Sequence, residues 1–284
     1  MTQDQANRVW FITGCSTGFG RVLAEEVLKA GGKVVATARR PEQIADFAKR
    51  YPETALALRL DVTRPEDVES AVAGAIERFG RIDVLVNNAG YGVGGAIEEV
   101  SEAEFMPMFE TNVFGLIRVT RAVLPYLRRQ RSGHILNLSS IGGLTANPGF
   151  GYYHTTKFAV EGFSEALALE LAPLGVRVTL IEPGPFRTDF LGRSGVVAER
   201  QIPDYDKTAG NARRYFEEQD GKQPGDPVRA ALAMIEVVES ANPPLHLLLG
   251  AVALKRLRAK LDLMRQETDA WEATTVGADF PEAR

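Results

Sequence analysis

Thr13-Gly14-Cys15-Ser16-Thr17-Gly18-Phe19-Gly20 lies between an apolar run, 9–13, and a segment with helical spacing that begins at Arg21. A tight turn from a strand into a helix needs glycine where the backbone reverses and where it approaches a ligand closely. The free N–H groups at the start of the helix then attract negative charge. The stretch therefore predicts a βα turn that binds a dinucleotide pyrophosphate through Gly14, Ser16, Thr17, Gly18, Phe19 and Gly20.

Short apolar runs recur along the chain, and segments with helical spacing separate them. Most of these runs are continuously apolar, which is typical of strands covered on both faces. The separations are long enough for crossover helices, so the order βαβαβα predicts an α/β fold with a doubly wound parallel sheet of about seven strands and helices on both faces. The predicted strands cover residues 9–13, 33–37, 55–60, 82–87, 134–138, 176–181 and 245–249.

The length of 284 residues is compatible with one α/β domain, and we expect residues 1–284 to form a single dinucleotide-binding catalytic domain. Within it, residues 186–227 lose the regular pattern and are expected to form an irregular loop over the substrate. Residues 251–272 predict a C-terminal helical extension. Its apolar positions have helical spacing, so it covers either the core of its own chain or a partner; they are Leu254, Leu257, Leu261 and Met264.

Composition excludes several classes of function. The net charge of -4 argues against a nucleic-acid partner. No apolar stretch is long enough to span a membrane, and the three histidines lack metal-ligand spacing, so we expect neither a membrane association nor a metal. The single cysteine, Cys15, cannot form an intrachain disulfide, which favours a reducing compartment, the cytoplasm.

The residues after the second predicted strand indicate which dinucleotide binds. An acidic side chain at this place would contact the ribose 2′-hydroxyl of NAD. The chain instead has Arg39 and Arg40. A guanidinium binds a phosphate in a forked geometry, so the sequence favours the 2′-phosphate of NADP over NAD.

Tyr153 and Lys157 are four residues apart at the start of a helical pattern, so their side chains share one helix face. An ammonium ~4 Å from a phenol, at an effective dielectric constant of ~20, favours the phenolate by roughly 4 kcal/mol. That corresponds to a decrease of up to about three units in the tyrosine pKa. The pair therefore predicts an acidified phenol that exchanges a proton with a substrate oxygen. His154, on an adjacent helix position, is expected at the surface or the pocket rim.

Ser140 follows the fifth predicted strand, at the sheet edge where doubly wound folds build their sites. With this serine in place, the chain resembles the short-chain dehydrogenase/reductase family over nearly its whole length. The motifs that carry the resemblance are Thr-Gly-x3-Gly-x-Gly at 13–20, Asn-Asn-Ala-Gly at 87–90, Ser140 and Tyr-x3-Lys at 153–157. The resemblance implies a Rossmann fold and a homodimer or homotetramer.

The resemblance also implies residue roles. Tyr153 is the general acid/base, Ser140 polarises the substrate carbonyl, and Lys157 holds the nicotinamide ribose. Asn112 relays protons through water to the lysine. The remaining cofactor contacts are Asp61 and Val62 at the adenine, Asn88, Ala89 and Gly90 along the cofactor, and Pro183, Gly184 and Thr188 at the carboxamide.

These features predict an NADP-dependent oxidoreductase that transfers a hydride between the nicotinamide and a secondary alcohol or ketone. Phe150, Phe186 and Phe190 favour an apolar carbonyl substrate, although core packing is an equal alternative explanation for these rings. Two other functions stay open: a sugar-nucleotide epimerase or dehydratase, and a non-catalytic NADP-binding regulatory or scaffold protein.

Overall fold

The computed structural model describes residues 7–192 and 195–280. Seven parallel strands form its central sheet in the order β3-β2-β1-β4-β6-β7-β9, and two short strands, β5 and β8, form a separate parallel pair. In chain order the strands are β1 (Val9–Ile12), β2 (Lys33–Ala38), β3 (Ala55–Arg59), β4 (Val84–Asn87), β5 (Gly92–Gly94), β6 (Gly133–Leu138), β7 (Val176–Pro183), β8 (Gly195–Val197) and β9 (His246–Leu249).

The seven strands of the central sheet confirm the seven predicted runs. Their ends agree with the predicted ends to within about two residues, the uncertainty usual for boundaries. The sheet order reverses between β1 and β4, which leaves a crevice at the carboxyl ends of these strands. Loops that follow β1, β4 and β6 therefore meet at one edge of the sheet.

Helices cover both faces of the sheet. They are α1 (Gly18–Lys29), α2 (Ala45–Arg50), α3 (Pro65–Phe79), α4 (Glu102–Phe109), α5 (Leu116–Gln130), α6 (Gly151–Leu171), α7 (Gly210–Gln219), α8 (Pro227–Glu239), α9 (Ala251–Ala270) and α10 (Glu272–Gly277). Trp10 and Ile12 pack in the cluster that α1 and α8 cover, while Val9 and Phe11 pack on the opposite side with α3, α5 and α6. Both faces of β1 are therefore buried, which explains its uninterrupted apolar sequence.

The segment 186–227 is more ordered than its sequence suggests. It contains β8, a 3₁₀ turn at Pro203–Tyr205 and α7. β8 pairs with β5, so backbone hydrogen bonds attach this segment to the loop that follows β4. The ring of Phe216 on α7 covers Gly94 of β5 and Gly195 of β8. A Cβ added to Gly94 would lie 2.7 Å from this ring, and a Cβ added to Gly195 would lie closer still.

The C-terminal extension is helical, as predicted, but it covers little of the core. Among the described residues of α9 only Ala253 is buried. Leu254, Leu261 and Met264 are 42%, 55% and 48% exposed. The alternative in which this apolar stripe packs on its own chain is therefore wrong for most of its length. None of the helices within the described residues has the length and apolar character needed to cross a membrane.

A buried ion pair fixes the segment 186–227 to the rest of the molecule. Arg213 on α7 contacts Glu99 at 2.8 Å, and the Glu99 side chain is fully buried. The same carboxylate accepts hydrogen bonds from the N–H groups of Ala96 and Ile202. One carboxylate thus connects α7, the stretch before α7 and the loop after β5.

We predict that Arg213→Leu lowers the free energy of unfolding by about 3 kcal/mol, because it leaves the Glu99 carboxylate buried without its cation. Urea denaturation followed by circular dichroism measures this change. Arg214→Leu, at the exposed neighbouring position, is the control and should change stability by less than about 0.5 kcal/mol. Equal losses in the two variants would contradict a stabilising role for this ion pair.

Candidate functional site

The glycine loop is fastened to the end of β4 by Asn88. The Asn88 side-chain amide donates to the carbonyls of Thr13 (2.8 Å) and Gly14 (3.0 Å), and the backbone N–H groups of Asn88 and Ala89 donate to the Thr13 hydroxyl. Gly14 has a φ of 71°, which disfavours any side chain there. The loop is thereby held open at the N-terminus of α1, where unpaired N–H groups can meet an anion.

A cleft of about 1430 Å³ runs along the carboxyl edge of the sheet. Most of the predicted site residues line it: Gly14, Ser16, Thr17, Gly18, Phe19, Arg39, Asp61, Val62, Asn88, Ala89, Gly90, Ser140, Tyr153, Lys157, Pro183, Gly184 and Thr188. Gly20, Arg40 and Asn112 are outside this lining. Gly20 lies beneath the loop, where an added Cβ would collide with the Asn88 side chain and with the Gly14 carbonyl.

The two arginines after β2 differ in position. Both are exposed, but only Arg39 reaches the cleft. Arg39 therefore lies at the site, while the contact of Arg40 with the cofactor stays a prediction. Asp61 also lines the cleft, and its carboxylate accepts hydrogen bonds from the backbone and hydroxyl of Thr63. Asp61 is thereby held at the end of β3.

Ser140 and Tyr153 meet at the centre of the cleft. Ser140 follows β6, and its hydroxyl accepts a hydrogen bond from the Gly142 N–H at 2.9 Å. Tyr153, on the first turns of α6, is half-buried and lies near Ser140. Burial raises the Tyr153 pKa to about 12, and the Ser140 hydroxyl opposes this effect only in part. The phenol is therefore protonated at neutral pH, and the expected decrease in its pKa was wrong for this state of the protein.

Lys157 explains why the tyrosine is not acidified. Its Nζ donates to the carbonyl of Leu138 at 2.6 Å and lies 5.7 Å from the centre of the Tyr153 ring. The amine is buried as well, and burial lowers its pKa to about 8, against a smaller opposing effect of Glu161. Desolvation thus disfavours the charged form of both groups, and it is the largest influence on each pKa.

Asn112 lies in a π-helical turn, Glu110–Gly115, between α4 and α5. The wider turn buries its side chain, which exchanges two hydrogen bonds with the backbone of Tyr91 and donates to the hydroxyl of Thr156 at 3.2 Å. Thr156 directly precedes Lys157 in α6. The structure therefore connects Asn112 to the helix that bears the lysine, although the amide itself is outside the cleft lining.

His154 is buried and not at the surface, but it lines the cleft, which agrees with the pocket-rim alternative. Its Nδ1 is 3.0 Å from the carbonyl of Gly142, and its Nε2 accepts from the N–H of Asn147. Burial lowers the His154 pKa to about 4, so the ring is neutral at pH 7. These contacts hold the loop after Ser140 against α6. Helical spacing alone did not reveal this, because the contacts depend on the conformation of the irregular loop before α6.

The aromatic rings have separate roles. Phe186 belongs to the main core and packs on Phe19 with ring centres 5.3 Å apart, so the packing alternative applies to it. Phe190 lies 5.3 Å from the ring of Tyr153. Phe150 stacks on Phe216 at 5.6 Å. Phe150 and Phe190 also line the cleft and give its wall near Tyr153 an apolar character.

A cluster of ionisable groups that the sequence did not reveal lies behind the serine and lysine. Glu161, one turn after Lys157 on α6, accepts a hydrogen bond from the hydroxyl of Ser139. The carboxylate of Glu182 lies 2.6 Å from Nδ1 of His246. One ligand atom from each of Glu161, Glu182 and His246 falls within 4.8 Å of the others. In the sequence, the i, i+4 spacing of Lys157 and Glu161 indicates only that these two side chains share a helix face.

Burial raises the pKa of Glu161 and Glu182 to about 7, and repulsion between the two carboxylates adds to this effect on Glu161. A carboxyl group whose pKa is raised by folding stabilises the protein below its unfolded pKa. That contribution is lost as the pH rises through the folded pKa. The pair thus favours the folded state near pH 4.5 and ceases to do so above about pH 7.

We therefore predict that Glu182→Gln changes the pH dependence of stability. The free energy of unfolding of the variant relative to the parent should rise from pH 5 to pH 8, because the amide does not ionise. Urea denaturation at the two pH values measures this difference. Glu165→Gln, near the same histidine but exposed, is the control. Parallel stability curves for Glu182→Gln and the parent protein would refute the prediction.

Comparison with known proteins agrees with this geometry. The family model described as short chain dehydrogenase matches residues 8–195. Oxidoreductase BOA17 of Botryotinia fuckeliana is 38% identical over 272 residues, which cover 95% of this chain and 99% of that protein. The 3-ketodihydrosphingosine reductase of Bacteroides thetaiotaomicron is 37% identical over 244 residues, covering 86% and 88% of the two chains.

Solved structures show the same fold. A short-chain dehydrogenase from Streptomyces avermitilis has a TM-score of 0.91 and 42% identity, covering 98% of this chain and all of that chain. A short chain dehydrogenase/reductase from Burkholderia phymatum in complex with NAD has a TM-score of 0.81 and 25% identity, covering 92% and 95% of the two chains. With the glycine loop, Ser140, Tyr153 and Lys157 assembled on this sheet, the chain belongs to the short-chain dehydrogenase/reductase family of oxidoreductases.

Proposed function

We propose that the protein is an NADP-dependent oxidoreductase that reduces a ketone to a secondary alcohol or catalyses the reverse oxidation. One observation carries the proposal: Ser140, Tyr153 and Lys157 line the same cleft as the glycine loop. When bound, the nicotinamide supplies or accepts the hydride. The protein supplies the binding groups and the proton.

The residues fit a phosphorylated dinucleotide. Gly14 and Gly20 let the loop pack tightly against Asn88 and Ala89, which holds it at the N-terminus of α1, where a pyrophosphate would bind. Arg39 lines the cleft at the end of β2, and no acidic residue occupies that position. A guanidinium binds a 2′-phosphate, whereas NAD offers a hydroxyl there. This difference supports NADP as the preferred cofactor over NAD.

The protonation states suit carbonyl reduction. The Tyr153 phenol carries its proton at neutral pH and can donate it to the oxygen of a carbonyl as negative charge develops there. Ser140 provides a second hydrogen bond to the same oxygen. Lys157 holds its charge next to the phenol ring and lowers the cost of the phenolate that remains. Asn112 supports this helix through Thr156 and is proposed to continue the proton path through water.

The cleft wall supports an apolar carbonyl substrate. Phe150, Phe190 and Tyr215 line the cleft close to Tyr153 and the segment 186–227. The Bacteroides relative is named as a reductase of 3-ketodihydrosphingosine, a ketone with a long apolar chain. An epimerase or dehydratase, or a non-catalytic binding protein, would instead show no net oxidation of NADPH with any carbonyl compound.

The proposal also includes a homodimer or homotetramer in the cytoplasm. Large apolar side chains are exposed on the π-helical turn and on α6: Phe114, Phe158 and Leu169 are 44%, 47% and 80% exposed. Such side chains in one region of the surface favour contact with a second copy. The buried free thiol of Cys15 is compatible with a reducing compartment.

Tyr153→Phe tests the proton donor. We expect kcat to fall by about 10²- to 10⁴-fold in a panel of ketones with NADPH, because the hydroxyl that protonates the substrate is lost. The affinity for NADPH, measured by fluorescence, should stay within about threefold. Tyr152→Phe, one position earlier, is the control, since its hydroxyl bonds only to the Ile97 carbonyl among the described residues. Retained turnover in Tyr153→Phe would contradict the assignment of Tyr153 as the proton donor.

Arg39→Ala tests the cofactor preference. We expect the Kd for NADPH to rise by about 10- to 100-fold, the effect of losing a hydrogen-bonded charge contact, while the Kd for NADH stays unchanged. Arg40→Ala is the matched control, because it removes the same charge one residue farther on, outside the cleft lining. An equal weakening of NADPH and NADH binding would contradict the phosphate contact.

A further inference from the structure

Arg256 is a cation in the cleft without a carboxylate partner. It lies on the first turns of α9, and its Nη2 donates to the hydroxyl of Thr145 and to the side-chain carbonyl of Asn147, the latter at 2.8 Å. Both partners are neutral. Among the described residues, no carboxylate oxygen forms an ion pair with this guanidinium, and its Nε and Nη1 make no hydrogen bond.

Two other partly buried arginines have carboxylate partners. Arg213 has Glu99 at 2.8 Å and Arg118 has Glu110 at 2.8 Å. Arg256 is half-buried like Arg118, and burial lowers its pKa. An arginine that is partly desolvated without a counter-ion is held in place at a free-energy cost, which a bound anion offsets. Arg256 lines the cleft.

Contacts across the cleft relate Arg256 to Tyr153. The Asn147 side chain bonds Arg256, and the Asn147 N–H bonds His154, the residue next to Tyr153. Aromatic rings line the cleft between these groups: Phe150 packs edge-to-face on Tyr215 at 6.4 Å, and Phe190 packs on Tyr153. The cleft therefore combines the Tyr153 phenol as a proton donor, a wall of aromatic rings, and the guanidinium of Arg256.

We propose that Arg256 forms an anion subsite that binds a carboxylate of the substrate, so that the preferred substrate is an apolar oxo acid. The proposal rests on the proposed reductase function, which it makes more specific. A guanidinium offers paired donors in a plane that match the two oxygens of a carboxylate. Other charged side chains also line the cleft, so the variants change Arg256 alone; they are Arg39, Asp61, Glu110, Lys157, Asp189 and Lys207.

The turnover test compares two ketones that differ only in charge, 9-oxodecanoate and its methyl ester, with NADPH. We expect the parent protein to have the lower KM for the acid. Arg256→Gln should raise the KM for the acid by about 10- to 100-fold and change the KM for the ester by less than about threefold. Arg256→Lys should keep part of the preference, because it keeps the charge but not the fork. Arg258→Gln, an exposed position on the same helix, is the control.

A binding test separates this proposal from the proposed function. Calorimetry with NADPH-saturated protein compares decanoate, which cannot be reduced, with decanamide. Tighter binding of decanoate in the parent and loss of that difference in Arg256→Gln would support the subsite even if no ketone is reduced. Equal binding of the two compounds, or an equal effect of the variant on both, overturns the subsite and leaves the reductase proposal untouched. Thermal melting checks that each variant is folded. If Arg256→Gln does not fold, the same comparison is made with Arg256→Lys.

Discussion

The hydrogen bond from Lys157 to the carbonyl of Leu138 ties the site to the fold. It joins α6, which carries Tyr153, to the last residue of β6, which leads into Ser140. The Lys157 amine is buried, so water cannot readily replace the Leu138 carbonyl as its hydrogen-bond acceptor. The bond therefore fixes how far α6 stands from the sheet edge, and with it the separation of the tyrosine and serine.

The same burial sets the protonation of the site. Removing Tyr153 and Lys157 from water disfavours the phenolate and the ammonium together, so burial raises the phenol pKa and lowers the amine pKa. Glu161 lies one turn farther on α6 and acts on the amine from the other side. Proton affinity at this site is thus a property of three groups on one helix.

Much of the fold could be predicted from the sequence, because its signals are local. Continuous apolar runs indicated the seven strands, and the motifs indicated the glycine loop, Ser140, Tyr153 and Lys157. The contacts of Arg256 and the cluster of Glu161, Glu182 and His246 join segments far apart in the chain, which local patterns do not predict. His154 contacts a nearby loop, but that loop is irregular and gives no periodic signal. The pairing of β5 with β8 was missed for another reason: three-residue strands rich in glycine carry no periodic signal.

Phe216 packs both on the short strands and on the cleft wall, so a substitution there affects both. Its ring covers the glycines of β5 and β8, and it also stacks on Phe150, which faces the cleft. Any change of this ring that reshapes the cleft also loosens the junction between the two short strands. Divergence toward new substrates should therefore proceed first through side chains that face the cleft without bracing that junction, such as Met106, Leu191 and Val252. The junction itself constrains the evolutionary routes open to this enzyme.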